Sequence, residues 1–172
     1  TLRLGTAMTN HKTFGSARHK KGEVLKSRRY ILDQTALCSL ATVNDDGTPH
    51  INTAFFCSQG DELFFLSDIR STHCQNALKR PQVAVSVFDS RQNWNADKAG
   101  IQIFGTAGVC RDKSAALAQK RYAERFPKYA AYVKSQKGRI DENSQFFSIR
   151  IARYKILDEK RFGEENFVSA HT

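Results

Sequence analysis

Seven consecutive residues, Ser67-Asp68-Ile69-Arg70-Ser71-Thr72-His73, gather three hydroxyls, a carboxylate, a guanidinium and an imidazole. They stand where an apolar run, Leu63-Phe64-Phe65-Leu66, gives way to a helical pattern that ends before Pro81. That chemistry suits a bound phosphate, because the first turn of a helix has free N–H groups and the positive end of the dipole. A phosphate held there would imply a nucleotide-type cofactor. The competing reading is ordinary capping, with Ser71 or Asp68 on the helix N-terminus and His73 at the surface. The residues by themselves leave both open.

The elements that must position this turn follow from periodicity. Residues 37–43 read as a strand, and Asn44-Asp45-Asp46-Gly47 as a hairpin turn, since Asp-Gly supplies the positive φ a tight turn needs. Residues 50–57 return, with Pro49 at the strand's start, where a missing N–H does least harm. Ser58-Gln59-Gly60-Asp61 makes a second turn and residues 62–67 a third strand. Residues 71–80 form a helix in this reading, and 83–88 a strand with Val83, Val85 and Val87 on one face and Ala84, Ser86 and Phe88 on the other. A polar loop, 89–99, carries the sole tryptophan, Trp94. Residues 101–110 read as a strand in which Gly105 and Gly108 mark bends or close backbone approach. Helices over 113–126 and 128–137 are split by Pro127, and a last strand, 145–157, sets Phe147, Ile149 and Ile151 on one face. An amphipathic helix over 22–34 opens the domain, and residues 1–21 read as a flexible basic arm ahead of a single domain, 22–172. The short hairpins disfavour a doubly wound α/β sheet. Six strands closed as a small antiparallel barrel leave no free edges.

The chain has 172 residues and a formal net charge of +10, unevenly placed. Residues 1–29 hold 8 basic and 1 acidic side chains and residues 111–139 hold 9 and 2, whereas residues 30–110 hold 5 and 8. The strand-rich centre is therefore not basic. The arm could bind nucleic acid by counterion release, but only Phe14 interleaves with its charges, so nucleic acid is an unfavoured partner. Residues 1–23 lack the apolar core of a secretory signal, and no window is apolar enough to cross a bilayer, so no membrane partner is expected. Cys38, Cys57, Cys74 and Cys110 have no metal-ligand spacing; buried free thiols in a reducing cytoplasm are the expectation, with no metal site.

Taken together, Ser39-Leu40-Ala41-Thr42-Val43, Asp46-Gly47-Thr48-Pro49-His50, Leu63 to Ser67, Ser71-Thr72-His73, Asn76-Ala77-Leu78 and Pro81 to Val85 resemble the FMN-binding split barrels, the superfamily of pyridoxamine 5′-phosphate oxidase. Gly100-Ile101-Gln102-Ile103-Phe104-Gly105-Thr106-Ala107 resembles its fifth strand, and Arg121 to Pro127 with Phe162-Gly163 is similar to a small bacterial branch. The likeness runs over residues 25–165 in the expected order. It implies a mainly β fold: a six-stranded antiparallel split β-barrel of Greek-key type with helices packed at its ends. It also implies a homodimer with FMN at the interface.

On this resemblance Asn52, Thr53, Ala54 and Phe55 would line the flavin ring, and Ser67, Ser71, Thr72 and His73 would hold its phosphate, with Asp68 in the same turn. Superfamily members often carry Lys where His73 stands and an Arg near Thr72, so Arg70 or Lys79 would have to supply charge. Trp94 would stack on a flavin or else anchor its own loop, and Gln102 would bond the ring's polar edge or else simply face outward. His50 reads as a strand-edge residue, and His11, His19 and His171 as tail residues. No catalytic acid or base stands out, as befits chemistry carried by the cofactor. The function implied is an FMN-dependent oxidoreductase acting on a small-molecule substrate or electron donor. The alternative is a deazaflavin- or haem-binding protein on the same barrel.

Overall fold

The computed structural model describes residues 19–137 and 141–172. Helix α1 (Lys21–Gln34) is followed by strands β1 (Leu37–Val43), β2 (Pro49–Gln59) and β3 (Glu62–Asp68). Then come helix α2 (Thr72–Lys79), strands β4 (Gln82–Phe88) and β5 (Ala99–Val109), and helices α3 (Asp112–Arg125) and α4 (Pro127–Ser135). Strand β6 (Ser144–Asp158), the single-turn helix α5 (Glu159–Phe162) and strand β7 (Phe167–His171) complete the fold. No described helix is long and apolar enough to cross a membrane.

The strands run antiparallel in the order β3-β2-β1-β4-β5-β6-β7, and β3 also pairs with β6. That last pairing, with Leu63 opposite Ile149 and Phe65 opposite Phe147, closes a six-stranded barrel. The sequence reading of six barrel strands holds. It missed α5 and β7, which adds a seventh strand along the second half of β6, Arg153 opposite His171 through Leu157 opposite Phe167. His171 is thus a strand residue and not part of a tail. Of the arm read over residues 1–21, residues 1–18 lie outside the described ones, His19 packs its ring 4.7 Å from that of Phe162, and Lys21 opens α1.

Strand alternation fills the barrel. Leu40, Phe56, Phe65, Val85, Val87, Ile101, Ile103, Phe147, Ile149, Ile151 and Ile156 point inward and are buried. Helices α1 and α2 plug opposite ends, sending Val24, Ile31 and Leu32 from one and Cys74 and Ala77 from the other into the same core. Helices α3 and α4 depart from the expected end-on packing. They lie on the side of the barrel, where Cys57, Phe64, Cys110, Ala118, Tyr122 and Phe146 form a second cluster. Gly105 sits at a break in the β5–β6 register, and a Cβ there would collide with the carbonyl of Arg150, so close approach explains this glycine. Gly108 has open space around its Cβ position, and close approach does not explain it. The four cysteines are buried and free, and burial pushes the thiols of Cys38 and Cys57 up to about 12, leaving both protonated and inert.

Candidate functional site

The Ser67–His73 turn joins the end of β3 to the first turn of α2, as its residues suggested. Ser67 continues the inward parity of Leu63 and Phe65, so its hydroxyl meets the helix. The ring of His73, nearly buried, brings Nε2 to 2.8 Å from Ser67 Oγ and 3.2 Å from Ser71 Oγ. The two hydroxyls lie 3.5 Å apart. Ser71 occupies the N-cap position, yet its side chain caps nothing, and its hydroxyl faces the histidine instead. Thr72 is exposed on the first turn. The imidazole of His50, on β2, stacks parallel to that of His73 with ring centroids 6.5 Å apart. Burial, and then the charge His50 can carry, hold the His73 pKa below its ordinary value, so His73 is a neutral hydrogen-bonding group near pH 7.

The cations expected to assist are elsewhere. Arg70 folds back on Asp68, with Nη2 2.6 Å from Oδ2 and Nε 3.0 Å from Oδ1, while Asp68 Oδ1 also accepts the Arg70 backbone N–H at 2.8 Å. The guanidinium holds the Asp68 carboxyl down at about 2. Lys79 lies at the far end of α2 and pairs with Asp45 in the first hairpin turn. Neither cation faces the Ser67–Ser71–His73 cluster. Only Ile69 separates Arg70 from Asp68, and that local pairing outcompetes a longer reach.

The four residues proposed for the ring divide between two faces, because a strand alternates. Thr53 and Phe55 point outward with Ile51. Asn52 and Ala54 point inward with His50, and Ala54 packs on the barrel core. Outside, the register aligns Thr53, Ser39, Ser86 and Gln102 across β2, β1, β4 and β5, and beside them Ile51, Ala41, Ala84 and Phe104. The result is a shallow trough floored by small side chains. Its walls are large apolar groups in water: Ile51 is 70% exposed, and Phe55, Phe88, Leu37 and Val43 are exposed as well. Phe55 lies opposite Leu37 in the register, and its ring stands 5.5 Å edge-on to that of Phe126. Gln102 faces outward on this surface.

Trp94 is 94% exposed and does not anchor its loop. Gln92 does that, donating Nε2 to the carbonyls of Asp89 and Ala99 and accepting the Ala99 N–H. Sequence reasoning also missed a basic row on the outer face of β6 and β7. There Arg153 lies over the Phe104 ring at 3.8 Å, opposite His171, with Lys155 two residues on. The alternation of Arg153 and Lys155 with buried Tyr154 and Ile156 was the available signal.

A closed six-stranded antiparallel barrel with flanking helices is the architecture of the FMN-binding split barrels. The sequence model of the pyridoxamine 5′-phosphate oxidase family matches residues 25–158, and the chain belongs to that family. Solved structures agree on the fold. A haem-binding protein of Mycobacterium smegmatis superposes with a TM-score of 0.70 at 16% identity, over 84% of this chain and 56% of that one. A protein of Clostridium acetobutylicum in the pyridoxinephosphate oxidase family, related to general stress protein 26, gives 0.65 at 9% identity over 88% and 96%. HutZ, the haem storage protein of Vibrio cholerae, gives 0.60 at 16% over 88% and 95%. The chain thus spans little more than half of the mycobacterial protein. A comparison with curated protein sequences returns no match.

Proposed function

We propose that this protein is an FMN-dependent oxidoreductase whose flavin lies between two copies of the chain. The convergence of Ser67 Oγ, Ser71 Oγ and His73 Nε2 at the start of α2 carries this reading. The donor set fits a phosphate: two hydroxyls, one imidazole and the free N–H groups of a helix N-terminus. The trough of Ser39, Ala41, Ala84 and Ser86 fits a flat ring, because small side chains let it approach the backbone. The apolar walls around it want covering, and a second copy of the same face supplies a self-complementary cover. FMN would supply hydride or electron transfer, and the protein positions it and keeps water out. Thr53 and Gln102 offer hydrogen bonds to polar ring atoms from the trough, and Trp94, free of its own fold, is available to stack on a ring or a substrate.

Chain-specific features shape the phosphate end. With Arg70 and Lys79 committed to carboxylates, His73 is the one titratable donor of the cluster. A phosphate beside it favours the imidazolium, so binding takes up a proton. A haem reading has its own support in two haem-binding neighbours and in His171 of β7, exposed opposite Arg153 of β6, where an imidazole and a guanidinium could meet a metal and a carboxylate. A deazaflavin would use the same trough as FMN.

The visible spectrum of protein purified without added cofactor tests these readings. Flavin absorption that releases as FMN on denaturation supports the proposal, and a Soret band decides for haem. Colourless protein that takes up no added FMN overturns it. Sedimentation of the FMN-loaded protein as a monomer would overturn the shared site.

A further inference from the structure

At the opposite end of the barrel from the Ser67–His73 turn, a groove of about 590 Å³ opens between α1, the β2–β3 turn and α3. Its volume falls in the range of small-molecule sites. Three guanidinium groups line it: Arg28, Arg29 and Arg121. Arg28 is committed. Its side chain is 7% exposed, Nη1 donates to Asp61 at 2.7 Å, and Nη2 bonds the carbonyl of Gly60. The other two have capacity to spare. Arg29 meets Asp33 only loosely, at 3.5 Å on the exposed side of α1, an arrangement that yields to a better acceptor. Arg121 gives Nη1 to Glu124 on its own helix, while its Nε is out of water and has no acceptor among the described residues. Leu25, exposed on α1, supplies an apolar patch in the groove, with Leu32 buried behind it.

We infer that this groove binds a small organic anion, a carboxylate or a phosphate monoester with an apolar body. Arg29 and Arg121 take the anionic head through forked, charge-assisted hydrogen bonds. Leu25 takes the body. Arg28 and Asp61 form the rigid floor that holds α1 against the β2–β3 turn. The site is separate from the proposed flavin site and does not depend on that reading.

The test is calorimetric titration of the full chain with phenyl phosphate, benzoate and benzylamine. It is repeated in a Ser71→Ala/His73→Ala background so that binding at the α2 mouth is removed. The two anions bind in both backgrounds, the tighter one identifying the preferred head group, and benzylamine does not. Arg29→Gln and Arg121→Gln each weaken anion binding about tenfold, the loss that goes with one charge-assisted hydrogen bond. Arg29 is exposed, so its variant keeps the fold, which a melting curve verifies. Absence of heat with either anion at millimolar concentration overturns the proposal. So does equal binding of benzylamine, or anion binding that survives both arginine substitutions or disappears with Ser71→Ala/His73→Ala.

Discussion

The two ends of the barrel are built alike and finished differently. Each is plugged by a helix that buries polar side chains against strand ends. At the α1 end the buried groups are mainly charged and engaged, and spare capacity is left at the rim of the groove, on Arg29 and Arg121. Arg28 pairs with Asp61, and buried Asp158 accepts from Ser27 Oγ at 2.6 Å and from Arg161 Nη1 at 2.7 Å. Arg125 also donates to the carbonyls of Leu32 and Thr35, each at 2.7 Å, tying off the α1 C-terminus. At the α2 end the groups are neutral. Asn76 bonds Thr42 and Asn44, and the Ser67–Ser71–His73 cluster keeps unused hydrogen-bonding capacity. Saturated charge holds a fold together, because removing one partner strands the other. Unsaturated neutral donors at a helix mouth are what a ligand can complete.

The largest effect tests the first half of that contrast. Asp158→Ala leaves Ser27 buried without its acceptor and frees Arg161, and chemical denaturation should show a loss of about 3 kcal/mol. A loss no greater than that of a surface substitution would mean that the α1 end is not the structural one. Ser71→Ala and His73→Ala address the other half. Each should lower FMN affinity about tenfold, measured by flavin fluorescence, with stability changed by about 1 kcal/mol or less. The reverse pattern would exchange the roles of the two ends.

A subtler effect is pH dependence. The folded-state pKa of His73 is lowered relative to the unfolded chain, so the folded protein binds fewer protons there. Its contribution to stability is therefore complete above the unfolded value of about 6.5 and is lost as pH falls through that value to the depressed folded one. The cofactor-free protein should lose stability across that window, and His73→Ala should flatten the slope. FMN binding runs the other way. Above the second phosphate ionisation near pH ~6, affinity should fall as pH rises through the raised His73 pKa of the complex. A pH-independent affinity would remove His73 from the charge balance. The smallest effect belongs to Arg70→Ala, which separates an exposed pair facing away from the cluster and should leave FMN affinity unchanged in the same fluorescence titration.

Much of this was legible in the residues, and the failures have physical reasons. The first hairpin, the inward valines of β4 and the Pro127 break are local signals, and the structure keeps them. β7 gives only a short, weak pattern after Gly163, and it exists because the second half of β6 offers an unpaired edge. The Ser67–His73 turn was visible as chemistry. The fates of Arg70 and Lys79 were not, since charge partners such as Lys79 and Asp45 meet only after the hairpin and α2 have packed. Period-two alternation through β2 by itself divides residues 52–55 between two faces.

The long strand β6 has a consequence for biosynthesis. Without it, the pairings of β1 to β5 make only an open sheet with β3 and β5 at its two edges, and β6 pairs with both. A nascent chain therefore cannot close its barrel until residues 144–158 have left the ribosome, and until then it presents two bare strand edges to its neighbours. Closure by such a distant strand also sets a high contact order and a correspondingly slow final step. The interval between synthesis of β5 and of β6, filled by α3 and α4, is when this protein is most exposed to misassembly.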